Sequence, residues 1–176
     1  MAYANPLIEQ LLDRYSDVLG IDELKYRNHV YRVFLNCLLL DCDPEHEEKY
    51  AVAAVFHDIG IWTDNTIDYL PPSIDQARLF LLEKGMESWI EEITLMIVWH
   101  HKVTAYIGPF LETVDNFRKA DWIDVSLGLL RFGLDRDHIE DIREGLPNRG
   151  FHWFLTKRVL KNWVRHPLRP LPMFRR

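Results

Sequence analysis

Cysteine is scarce: the 176 residues contain two, Cys37 and Cys42. With no paired Cys-x-x-Cys motif a structural zinc clip is excluded, and the unlike surroundings of the two thiols, one apolar and one acidic, favour reduced cysteines over a disulfide. No stretch reaches the roughly 18 apolar residues of a membrane span, and no N-terminal apolar run has a basic flank and a small-residue cleavage site. The expectation is a soluble, unprocessed, cytoplasmic protein with no membrane partner. Positive charge is also in deficit, the formal net charge being -6. That disfavours nucleic acid as a partner, because such binding neutralises several phosphates with Lys and Arg. Any phosphate handled here is expected on a small molecule. Internal repeats, low-complexity segments and interdomain linkers are missing too, as is sustained apolar and polar alternation between hairpin turns.

What the chain does have is apolar residues at three- and four-residue spacing almost throughout, which predicts an all-α fold. One helical domain over residues 1 to 176, with about seven to eight helices, is the economical reading, and a chain of this length buries roughly 70% of its unfolded surface. The first helix is expected from Leu7 to Leu19, stopped by Gly20. Asp22 reads as the N-cap of a second running to about Leu40, and Asp43-Pro44 as the N-cap and first turn of a third that ends at His57 before Gly60. A loop of about ten residues, WTDNTIDYLPP, follows and could cover a site. Further helices are expected from Ser73, from Glu87 to Lys102, from about Pro109 to Phe132, from Asp135 to Glu144 and from Asn148 to about Arg165. Residues 165 to 176 form a basic, proline-rich tail, read as a solvated terminus.

The pair His57-Asp58, closing the apolar run AVAAVF, carries the most chemistry. A carboxylate beside the core needs a partner, since an unpaired buried charge costs several kcal/mol or takes up a proton. A metal cation would satisfy both side chains. Ligands of matching type recur at His29, at His100-His101 and at Asp121 within KADWIDVSLGLL. Imidazole and carboxylate together suit one divalent transition ion, Mn, Fe, Co, Ni or Zn.

The order His, His-Asp, Asp resembles the HD-domain superfamily of metal-dependent phosphohydrolases, in its predicted-hydrolase branch. The matching pieces are HVYRV with His29 and Arg32, FHDIG with His57 and Asp58, and KADWID with Asp121, together spanning roughly residues 22 to 130. The resemblance implies a helical domain in which His29, His57, Asp58 and Asp121 hold one divalent metal and leave positions for water and a phosphate oxygen. Such an ion can lower the pKa of bound water to about 7, so hydrolysis needs no side-chain nucleophile. Asp124, one helical turn from Asp121, is expected to orient a ligand histidine. A similar double histidine serves a multinuclear site in HD-GYP phosphodiesterases, but this chain lacks both the intervening histidine between 58 and 100 and the GYP motif. One ion is therefore expected. Neighbours on a helix point about 100° apart, so one of His100 and His101 should face it, contacting substrate phosphate or a weak second ion.

Around that centre Asp58, Asp64, His100 and Lys102 are the expected catalytic groups, with Asp64 either a general acid or a turn residue. Arg32, His101 and Tyr69 are expected to meet the substrate, Arg32 as a bidentate phosphate clamp. Lys119 reads as a salt-bridge partner, and Trp62 and Trp99 as packing residues. The expected activity is cleavage of a phosphoester of a small metabolite such as a nucleotide. A diiron oxygenase and a noncatalytic nucleotide or metal sensor are the alternatives, and a two-fold homodimer stays open.

Overall fold

In the computed structural model, which describes residues 4–165, every regular element is helical. The α-helices are α1 (Pro6–Arg14), α2 (Ser16–Leu19), α3 (Glu23–Leu40), α4 (Glu47–Phe56), α5 (Gly60–Thr63), α6 (Leu70–Glu83), α7 (Ile90–Trp99), α8 (Leu111–Val125), α9 (Arg136–Gly145) and α10 (Phe151–Arg165). Eight of them have nine or more residues, and α2 and α5 are single turns. The all-α expectation thus holds, and no helix among the described residues is long and apolar enough to cross a membrane. The tail from 166 onward lies outside the described residues. Cys37 is buried and Cys42 exposed, both as free thiols.

Helix α4 is the axis of the domain. From Tyr50 to Phe56 every residue is buried, as expected of a helix that is apolar all round. Its alanines let neighbours approach, and α1, α3, α6 and α7 pack on it. Helices α3 and α8 pack against each other and α8 against α7, so α3, α4, α7 and α8 surround one volume at the C-terminal end of α4. Helix α8 buries Asp115, Asn116, Arg118, Asp121 and Asp124 along with its apolar residues. Such a polar inner face requires partners inside the protein.

Several local expectations are corrected by tertiary contacts. The first helix breaks at Tyr15, and its cap is Asn5, whose Oδ1 accepts from the N–H of Leu7 and Ile8. Asp22 makes no cap bond, because its carboxylate is held by Lys25 at 2.6 Å and by the Trp62 indole N–H at 3.1 Å. Asp43 caps a 3-10 turn, Pro44–His46, that leads into α4. Gly60 does not stop the chain but opens α5, and its lack of a side chain has another cause. A Cβ there would lie 2.4 Å from the Tyr69 carbonyl oxygen and 2.9 Å from Pro72 Cγ. The loop after the dyad is shorter than expected, since Leu70, Pro71 and Pro72 form the first turn of α6. Ser73 lies inside that helix, where its Oγ accepts from the Gly60 N–H at 3.0 Å. Helix α8 ends at Val125, and the chain then turns through Leu127 and Gly128, at φ 58° and 81°.

Candidate metal centre

Four segments deliver the expected ligands to one place. His29 comes from the middle of α3, His57 and Asp58 from the end of α4, His100 and His101 from the end of α7, and Asp121 from α8. His29, His57, Asp58, His100 and Asp121 are all at most 2% exposed. Such burial of ionisable groups is costly unless each finds a partner or a cation.

The ring nitrogens define the chemistry. His29 Nδ1 lies 2.7 Å from Asp124 Oδ2, His57 Nδ1 2.8 Å from the Ala54 carbonyl, and His100 Nδ1 2.6 Å from the Ile97 carbonyl. A carbonyl or ionised carboxylate oxygen only accepts, so each of these Nδ1 atoms carries the proton. The Nε2 lone pairs are thereby aimed inward. His29 Nε2 and His57 Nε2 stand 3.0 Å apart, and each is 3.6 Å from Asp58 Oδ2 and 3.9 Å from Asp121 Oδ1. Two facing imidazole lone pairs repel unless a proton or cation lies between them. Ligands about 2.0–2.2 Å from a common ion lie about 3.0–3.5 Å from one another, close to the spacing seen.

The same carboxylates turn their other oxygens to a second histidine pair. Asp58 Oδ1 is 3.6 Å from His100 Nε2, Asp121 Oδ2 is 3.8 Å from His101 Nδ1, and the Nε2 atoms of His100 and His101 are 2.9 Å apart. Two triads result, His29, His57 and Asp58 and then Asp58, His100 and His101, with ligand atoms in each within 4.8 Å of one another. Asp58 belongs to both, and its buried Oδ1 has no hydrogen-bond partner among the described residues. An orphaned carboxylate oxygen amid inward-facing imidazoles is the donor set a cation would complete.

Electrostatics agree with a site built for positive charge. Burial alone pushes the Asp58 carboxyl upward, but the surrounding histidines outweigh it and hold the group well below its ordinary value. Burial drives His57 down to about 3 and raises Asp121 to about 7. Burial also works against a charged His29, yet the carboxylates of Asp124 and Asp58 raise it to about 9, so without a cation a proton takes the place of one.

Around the ligands each expected residue has a definite location. Asp124 orients His29, as expected, and is also held by Arg32, through Nη2 at 2.9 Å and through Nε. Arg32 is 1% exposed and spends Nη1 on the Leu146 carbonyl at 2.9 Å, so it is committed to Asp124 instead of a substrate phosphate. The expectation that only one of His100 and His101 turns inward is also corrected. Regular helix ends at Trp99, so His101 follows a turn and its ring packs with its centroid 3.7 Å from that of His100. The Tyr69 hydroxyl meets His101 Nε2. Asp64 stands exposed, accepting from the Thr63 hydroxyl at 2.8 Å, away from the histidine cluster's contacts. Lys102 follows His101 at partial exposure, and its carbonyl accepts from the Trp122 indole at 3.1 Å. Lys119 is paired with Asp115 at 2.9 Å. Trp62 and Trp99 pack on Phe154 and Tyr106 respectively.

Sequence reasoning missed Phe151. It is fully buried and stacks on His29 at 4.1 Å between centroids, roofing that imidazole from α10. His101, with 17% of its side chain exposed, is the candidate ligand nearest to solvent. Comparison of the chain with protein-family models, with curated proteins and with solved structures finds no match.

Proposed function

We propose that this protein is a metal-dependent phosphohydrolase of HD-domain type, acting on a phosphoester of a small metabolite. The observation that carries the reading is the inward convergence of Nε2 from His29, His57 and His100 on Asp58, with every Nδ1 fixed as a donor. A divalent ion bound there supplies a Lewis acid for a phosphoryl oxygen and acidifies water. The chain's own groups do the rest. Asp124 and the Ala54 and Ile97 carbonyls hold the imidazoles in the ligating tautomer. Asp58 and Asp121 supply the negative charge that selects a cation, and Phe151 excludes water from one side. His101 and Lys102, at partial exposure, and the buried Tyr69 hydroxyl that meets His101 are the groups to orient the phosphoester and its leaving oxygen.

The second triad favours occupancy by two ions over one, and with iron that arrangement would serve an oxygenase. The discriminating experiment is turnover of a phosphoester panel under Mn, Co, Ni, Zn and ferrous iron, alongside Asp58→Ala. Metal-supported phosphate release lost in the variant at unchanged helicity is the expected result. Inertness of the metal-loaded protein across the panel, with two irons per chain and oxygen consumption, would replace this reading by the oxygenase.

A further inference from the structure

The chain is acidic as a whole, yet residues 145 to 176 contain eight Lys or Arg and no Asp or Glu. Part of that charge lines a cleft of about 360 Å³ between α10 and the segment that joins α5 to α6. One wall is Lys157, Arg158 and Lys161, and the other is Asn65, Thr66 and Ile67. Lys157 and Lys161 are one helical turn apart, about 6 Å along the axis. The Arg158 guanidinium bridges the walls, donating to Asn65 Oδ1 at 2.9 Å and to the Ile61 carbonyl at 3.4 Å. Its partners among the described residues are neutral, the two oxygens and the Phe154 ring over which it lies at 5.0 Å, so its charge is not cancelled by an ion pair. Asp22, whose charge Arg158 feels, is already bonded to Lys25 and Trp62. Both walls are joined along the chain to residues that touch the histidine cluster. The joining segment ends at Tyr69 on His101, and α10 begins with Phe151 on His29.

We infer that this cleft is an anion subsite that takes the polyphosphate part of a substrate, with Lys157, Arg158 and Lys161 as its cationic wall and Asn65 and Thr66 as neutral donors. The inference rests on the phosphohydrolase reading and narrows the substrate class to compounds carrying two or more linked phosphoryl groups. Concavity decides for a small polyanion: a lipid surface or a duplex needs its cations on an open face, whereas these line one wall of a groove whose other wall is Asn65, Thr66 and Ile67.

The test is isothermal titration of the full chain, stripped of metal and dialysed free of chelator, with inorganic triphosphate at low and at moderate salt. Saturable binding is expected, weakened by at least about tenfold in Lys157→Ala/Lys161→Ala and retained in Lys157→Arg/Lys161→Arg, with circular dichroism unchanged. Binding should persist in Asp58→Ala, because the cleft is built without the metal ligands. No binding of triphosphate, equal binding by the alanine variant, or a preference for duplex DNA or phosphatidylserine vesicles overturns the subsite. Triphosphate binding without turnover of any phosphoester would leave the subsite standing and remove the hydrolase reading. Turnover of monophosphates without triphosphate binding would do the reverse.

Discussion

Asp124 is the residue whose removal should cost most for its size. Its carboxylate is fully buried and accepts from His29 Nδ1 at 2.7 Å and from Arg32 Nη2 at 2.9 Å, as well as from Arg32 Nε. In Asp124→Asn an amide N–H₂ must face one of these donors, and the negative charge that matched Arg32 is gone. Breaking a buried pair by removing one partner costs about 3–5 kcal/mol, and domains have about 5–15 kcal/mol in total. The melting midpoint should therefore fall by roughly 6–20 °C at 2–4 °C per kcal/mol. The proton of His29 would shift to Nε2 to avoid the amide, so affinity for a divalent ion should fall about 10- to 100-fold. Adding Arg32→Leu separates the two effects. The orphaned cation is then absent, so the double variant should regain about 2 kcal/mol while metal affinity stays low. Urea denaturation of stripped protein reads the first quantity, and competition with a chromophoric chelator reads the second. A single variant within about 0.5 kcal/mol of the native protein, or a double variant with native metal affinity, would refute the reasoning.

Three further outcomes follow from other contacts. Gly60→Ala places a Cβ against the Tyr69 carbonyl and Pro72, so it should destabilise by about 1–3 kcal/mol in urea denaturation, through crowding and not backbone strain. Burial opposes ionisation of Asp115, but bonds from Arg118, the Tyr106 N–H and Lys119 outweigh it and hold the carboxyl at about 2. A carboxyl lowered in the folded state stabilises above its ordinary value and loses that as pH falls, so Asp115→Asn should cost about 2 kcal/mol at neutral pH. That gap should shrink between pH of about 4 and about 2, and a gap independent of pH would contradict it. Phe151→Ala removes the roof on His29 and should cost about 3–5 kcal/mol while hastening extraction of metal by a chelator, as stopped-flow would record.

Much of the centre was legible because its residues violate local patterning. An aspartate closing the buried run AVAAVF has no packing reason, and an aspartate inside the apolar stretch of α8 has none either. The helices themselves were legible from apolar spacing. What escaped were features set by distant contacts. Asp22 looks like a cap but is taken by Trp62, forty residues on. Gly60 looks like a stop but makes room for the backbone at Tyr69. Arg32 looks like a phosphate clamp until α8 brings Asp124 against it. His101 joined the centre because α7 ends one residue before His100, a boundary that periodicity does not fix to the residue. Phe151 gave no signal at all, since nothing in FHWFLTKRVL distinguishes a phenylalanine over a histidine from one in the core.

The central claim is that these converging imidazoles hold divalent metal. Elemental analysis by plasma mass spectrometry of tag-free protein purified without oxygen, beside Asp58→Ala, tests it most directly. One or two transition-metal ions per chain, lost in the variant, is the predicted result. Trace metal in both proteins, unchanged after incubation with Mn, Fe, Co, Ni or Zn, would contradict it.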